Sequence, residues 1–217
     1  MNELRIVIDH SLIDIAAPTI TFLSVIALIF QEPIRNFFSK AVLSAQINLQ
    51  PPDCHFIELS DEKGNKISDV LYVRMIVKNE GRRSAKNCEV MLTKIVKIEN
   101  NGNKTDERFL PMNLIWSHYQ PRRINLNIRR GLFHHCDIGF IVGNKDKKAV
   151  LKIDTMVQPN KVSDGYYPNI IKWGKYEFTF IIGSDNTKTK EVKYMFEFDK
   201  FINDEKKMLN QLVVKII

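Results

Sequence analysis

Residues 71–92, LYVRMIVKNEGRRSAKNCEVML, alternate apolar and polar side chains on both sides of one break. Leu71, Val73, Met75 and Val77 fall on one face, while Tyr72, Arg74 and Lys78 fall on the other. A period of two is the mark of a half-buried strand, and only Ile76 departs from it. Asn79-Glu80-Gly81 is a turn signal, after which Ala85, Cys88, Val90 and Leu92 resume the alternation. The two runs are expected as a hairpin or as neighbouring strands across a sandwich.

Outward from this pair the same chemistry repeats. Strands are expected at AQINLQ, CHFIEL, NLIWS, RINLNI, FHHCDIGFIVG, AVLKIDTMV, KYEFTFIIGS and KTKEVKYMFEFD. Turn-rich breaks separate several of them, notably Asn100-Asn101-Gly102-Asn103, Gly143-Asn144-Lys145-Asp146 and Gly183-Ser184-Asp185-Asn186. Many short strands without alternating long helices point to an antiparallel sandwich rather than βαβ units. The tail DKFINDEKKMLNQLVVKII fits a short C-terminal helix through Ile202, Leu209, Val213 and Ile216, or an edge strand at QLVVKII. The fold class is therefore mainly β, with residues 45–217 as one β-sandwich domain large enough for its own core.

The segment Val77, Asn79, Gly81, Ala85, Cys88, Val90 and Leu92 resembles the Val-x-Asn-x-Gly, Ala, alternating-apolar pattern of bacterial and archaeal immunoglobulin-like modules. The resemblance extends to membrane-anchored proteins carrying such modules, and CDIGFI has the look of the same group. It implies an immunoglobulin-like sandwich and specifies no activity. The disulfide and tryptophan spacing of antibody-type domains is missing.

The amino-terminal side is different in kind. Leu12 to Phe30, within SLIDIAAPTITFLSVIALIF, carries a single charge at Asp14, and a helix needs about 20 such residues to span a bilayer. The expectation is a 1–10 leader, a transmembrane helix at 11–30 and a juxtamembrane connector at 31–44, giving a single-pass membrane protein. No basic n-region or nearby small-residue cleavage site accompanies the run, so it is expected to remain as an anchor. Ser11, Asp14, Pro18 and Thr21 share one helical stripe, expected either as part of a monomeric anchor, with Asp14 within a turn of the interface and Pro18 as a bend, or as the face of a self-associating, pore-forming transmembrane helix. Arg35 and Lys40 after the span, against Arg5 before it, tilt the carboxyl-terminal domain toward the cytosol. Three cysteines, Cys54, Cys88 and Cys136, make no disulfide framework and suit the same reducing side.

Charge supplies the binding candidates. The chain has 32 Lys and Arg against 25 Asp and Glu, a formal net charge of +7. The excess concentrates in Arg74, Lys78, Arg82, Arg83 and Lys86, in Arg122, Arg123, Arg129 and Arg130, and in Lys145, Lys147 and Lys148. Arg122, Arg123, Arg129 and Arg130 are the candidate ligand or anion site, for anionic lipid or a nucleotide phosphate. No nucleic-acid module accompanies them, so nucleic acid is not the expected partner. Cys54, His55, His134 and Cys136 would make a two-Cys, two-His metal set only if their strands were adjacent, and their spacing matches no metal motif. Ser117-His118 lacks a nucleophile elbow, and adjacent residues of a strand point opposite ways. No cofactor motif is present.

Two functions follow. The first is a non-enzymatic single-pass membrane protein whose β-sandwich binds a partner protein or an anionic membrane surface. The second is a ligand-gated oligomeric membrane effector, similar in general plan to bacterial antiviral-defence effectors, with a nucleotide- or phosphate-sensing β-domain. Catalysis is not expected, because no catalytic constellation is legible.

Overall fold

The computed structural model describes residues 10–38, 40–61, 63–156 and 169–217, without the side chains of 10–17 and 33–38. The chain divides into two units, Met1–Lys40 and Ala41–Ile217. The first holds one helix, α1 (His10–Phe38), which continues eight residues past Phe30 and so takes up most of the expected connector. Its 29 residues correspond to about 44 Å at the α-helical rise. Among the described residues no helix is long and apolar enough to cross a membrane. Ser11 and Asp14 lie outside the described side chains, whereas Pro18 and Thr21 are exposed. Ile20, Phe22, Leu23, Leu28 and Ile29 are exposed as well, so among the described residues these apolar side chains of α1 are uncovered.

The second unit is two antiparallel sheets packed as a sandwich. Its elements begin with β1 (Leu43–Gln46), β2 (Cys54–Ser60), β3 (Lys66–Asn79), β4 (Ala85–Ile98), β5 (Lys104–Asp106), β6 (Met112–Asn113) and β7 (Ile115–Trp116). They continue with β8 (Leu126–Ile128), β9 (Phe133–Gly143), β10 (Ala149–Ile153), β11 (Ile170–Lys172), β12 (Gly174–Gly183), β13 (Lys190–Phe198), α2 (Glu205–Gln211) and β14 (Val213–Ile216). One sheet runs β1-β3-β9-β10-β11, with β2 also on β3 and β7 also on β9. The other runs β14-β13-β12-β4-β5, with β6 and β8 also on β4. The 71–92 pair is therefore split, β3 in one sheet and β4 in the other. The tail resolves into both expected forms, a helix capped by Asp204 and then an edge strand on β13.

Period-two alternation builds the core. Leu71, Val73, Met75 and Val77 face Val90 and Leu92 across the sandwich, with Phe178, Phe180, Phe196 and Phe198 filling the interior, all buried. The Phe178 and Phe196 rings stack at 4.6 Å. Cys54, Cys88 and Cys136 are free and buried in this core. Burial pushes the Cys54 thiol up to about 12 and Cys88 up to about 11, which makes both poor nucleophiles.

Two backbone devices place the functional face. Asn79, fully buried, accepts from the backbone N–H of Val42 and Gly81 and donates to the carbonyls of Arg83 and Ile128. One side chain thereby ties β1, the β3–β4 crossing and β8 together. The second device is a bulge in β9: Val73 pairs with Gly139 but Arg74 with Asp137, so Ile138 is the extra residue. Gly139 has φ +154, and a Cβ there would fall on the carbonyl oxygen of Lys152 in β10. Only glycine fits that approach.

Asn79→Ala leaves several buried backbone groups unpaired and is expected to lower stability by about 2–4 kcal/mol in urea unfolding. Gly139→Ala, which meets backbone, should cost about 3 kcal/mol or more, whereas Gly64→Ala, with φ +82 and open space, should cost about 1 kcal/mol.

Candidate functional site

Side chains that alternate away from the core of the first sheet converge on one cleft. β2 pairs with β3 so that His55 lies opposite Tyr72, and β9 sets Asp137 opposite Arg74. β7 adds Ile115 opposite Asp137, and the chain leaving β7 closes the rim with Ser117, His118, Tyr119, Gln120 and Arg122. The resulting cleft encloses about 450 Å³. That is within the range of small-molecule sites.

Arg74 is its centre. The residue is only 5 % exposed, in mid-strand, where a cation is rare unless paired. Its backbone N–H bonds the carbonyl of Asp53, which fixes the strand beneath it. Nη1 meets His118 Nε2 at 2.9 Å, and Nη2 meets the His55 ring nitrogens at 3.0 and 3.2 Å. Among the described residues no carboxylate forms an ion pair with Arg74, and its Nε is buried with no partner. Arginine carries five N–H donors and no acceptor, so donors remain free for a bound group.

The histidines must be acceptors for this contact. His118 then carries its proton on Nδ1, since Nε2 takes the bond from Arg74. Burial first, and the Arg74 charge second, hold His55 below its ordinary value of 6.5. His134 is lowered too, by burial and then by His135. On the acidic side, Ser117 Oγ donates to Asp137 Oδ1 at 2.5 Å. Burial raises Asp137 above the usual carboxylate range despite that bond. Tyr72 donates to Asp154 at 3.1 Å, and Arg122 grips the same carboxylate with both terminal nitrogens at 3.1 and 3.3 Å.

The arginine cluster is thus divided. Arg122 lines the cleft but is already matched by Asp154, and Arg123 stands over the Tyr119 ring at 5.6 Å. Arg129 and Arg130 are exposed in the turn between β8 and β9, away from the cleft lining. Arg74, the cation at the centre, shares its expected strand face with Tyr72 and the exposed Lys78. Its signal was slight: an arginine in mid-strand beside an aromatic, on the face expected to be wet.

Two further expectations are adjusted by the geometry. Ser117 and His118 line the same cleft, because His118 has φ +66 and turns out of the strand. They still form no triad: Ser117 donates to Asp137, and the His118 ring is turned to Arg74. Among the described residues no group of three His, Cys, Asp or Glu side chains could hold a metal ion. His55 faces Arg74, His134 bonds Tyr119 at 3.3 Å, and Cys54 and Cys136 point into the core. A second hollow, near Trp173, is lined by charges already paired, Lys97 with Glu99 and Lys175 with Glu197.

No protein family matches the chain, and neither curated proteins nor solved structures give a match.

The lowered histidines set a pH dependence. A group whose folded-state value is depressed takes up protons in the unfolded chain first, so stability is present above about 6.5 and falls as pH falls below it. Thermal unfolding between pH 7.5 and 5 should therefore show a falling Tm. His55→Gln should flatten that fall, and an unchanged slope would show that His55 is protonated without penalty.

Proposed function

We propose that this chain is a non-enzymatic binding protein whose β-sandwich holds a small anion in the Arg74 cleft. The observation that supports the reading is a buried guanidinium that lines a cleft, has no ion-paired carboxylate among the described residues, and spends one contact of each terminal nitrogen on an imidazole, which leaves each a second N–H. Burying an unpaired cation is costly, and an arriving anion would supply both the charge and the acceptors that Arg74 lacks. The ordered scaffold around it suits binding by a preformed site. Catalysis has less support, because the Ser117 hydroxyl has a carboxylate and no imidazole to take its proton onward.

Of the two functions set out from the sequence, ligand sensing by the β-domain gains more support from this cleft than docking through the arginine turn. The immunoglobulin-like resemblance is kept for the sandwich on its Asn79 and Gly81 turn. The exposed apolar side chains of α1 support a role for that helix on a membrane surface or in self-association, while the pore of the effector plan would need a crossing helix, and among the described residues none is long and apolar enough. Liposome flotation of the full chain tests that role, and absence from the lipid fraction would remove it.

Arg74→Met tests the site itself. Replacing a buried charge by an apolar residue of similar length is often neutral or stabilising, so the variant should fold with an unchanged or higher Tm. Calorimetric titration with phenyl phosphate should show binding to the native chain, weakened by at least about tenfold in the variant, in line with loss of a charge-assisted contact. Equal binding by both chains, or turnover of p-nitrophenyl phosphate by the native chain, would contradict the proposal.

A further inference from the structure

The geometry points to a more specific ligand class: a small organic anion with one acidic head group, phosphate ester or carboxylate, on an aromatic or heteroaromatic ring. This rests on the Arg74 reading and adds to it what fills the remainder of the cleft.

The head is limited to one by the charge inventory. Arg74 is the cation of the cleft with donors to spare, whereas Arg122 is held by both oxygens of Asp154. Asp137 lines the same space, and the other lining arginine is already matched by Asp154, so a second negative group would meet a carboxylate and no arginine without an ion pair. Polyphosphates and dicarboxylates are disfavoured on that ground.

The ring is argued from size and walls. A cleft of about 450 Å³ is far larger than an inorganic phosphate needs. Much of its lining is apolar or aromatic: Ile57, Ile115, Trp116, Tyr72 and Tyr119. The Tyr72 ring is engaged, stacked on Phe140 at 6.1 Å and turned to Arg74 at 5.9 Å. Tyr119 is also contacted, by Arg123 over its ring at 5.6 Å and by the tilted His134 ring at 6.2 Å, but it stands at the rim of the cleft. It is half-buried at the rim, anchored at its hydroxyl by His134 and braced by Arg123, so its ring is held in place before any ligand arrives. A preorganised aromatic next to an anion seat favours a flat body, since stacking adds affinity without new charge. Gln120, exposed at the same rim, offers an amide to polar edges of such a ring.

The full chain should be titrated by calorimetry with inorganic phosphate, phenyl phosphate, benzoate and inorganic triphosphate. The ring-bearing anions should bind about tenfold tighter than inorganic phosphate, the usual size of one stacking contact. Triphosphate should gain nothing over phosphate. Tyr119→Ala should bring the ratio of phenyl phosphate to phosphate affinity toward one, while Tyr119→Phe, which keeps the ring and loses the His134 bond, should retain the preference. Phenyl phosphate and phosphate binding equally, or triphosphate binding best, would overturn the ring-bearing class and leave the anion seat standing. If no probe bound, or if binding survived Arg74→Met, the anion seat would fall and the ligand class with it. Phenyl phosphate against benzoate then separates the two acidic heads.

Discussion

A cation held inside a β-sheet constrains everything around it. Arg74 sits on a strand whose other face belongs to the sandwich core, so its guanidinium can neither reach solvent freely nor retreat into apolar packing. The surroundings meet that constraint in three ways. Its strand is pinned by the Asp53 carbonyl, the bulge at Ile138 brings Asp137 level with it, and ring nitrogens of two histidines meet its terminal nitrogens. Each depends on a backbone feature elsewhere: the bulge on Gly139, the strand end on Asn79, and the His118 approach on a left-handed residue at the end of β7. What remains unmet is the Nε donor, and no carboxylate among the described residues forms an ion pair with the charge. An incomplete shell around a buried charge is a cost to the free protein that a bound anion would relieve.

Much of the sandwich was legible because one physical signal dominates it. Strands with one buried face must alternate: β13 does so throughout and β4 over most of its length, whereas β3, β9 and β12 carry runs buried on both faces. The short β5, β6 and β11 were not legible, since two or three residues cannot show a period and are fixed by the neighbour they bond to. Sheet membership of β3 and β4 was also open, because a turn signal such as Asn79-Glu80-Gly81 marks a reversal without saying whether hydrogen bonds or side chains meet across it. Asn79 decides it by spending its amide on backbone from other strands.

The site was far less legible than the fold. Clusters of arginine in sequence mark turns and rims, where charge is cheap, and Arg129 and Arg130 are there. The informative arginine is isolated in sequence, and its partners come from positions 19 and 44 residues away. Burial is what gives it meaning, and burial depends on segments 53–55 and 117–122 covering a face that alternation alone assigns to water. At the amino terminus the converse holds. Apolar composition along Leu12 to Phe30 is plain from sequence, the helix forms, and its exposed side chains pose the question of what covers them.

The most direct measurement follows the arginine Nε–H resonances by ¹H–¹⁵N NMR while phenyl phosphate is added to the full chain. Arg74 should give a solvent-protected signal that shifts and saturates with the ligand, as expected when the terminal nitrogens of the same guanidinium gain a charged acceptor. An Arg74 signal that stays fixed while those of Arg129 or Arg130 move would contradict the account and return the anion site to the exposed turn.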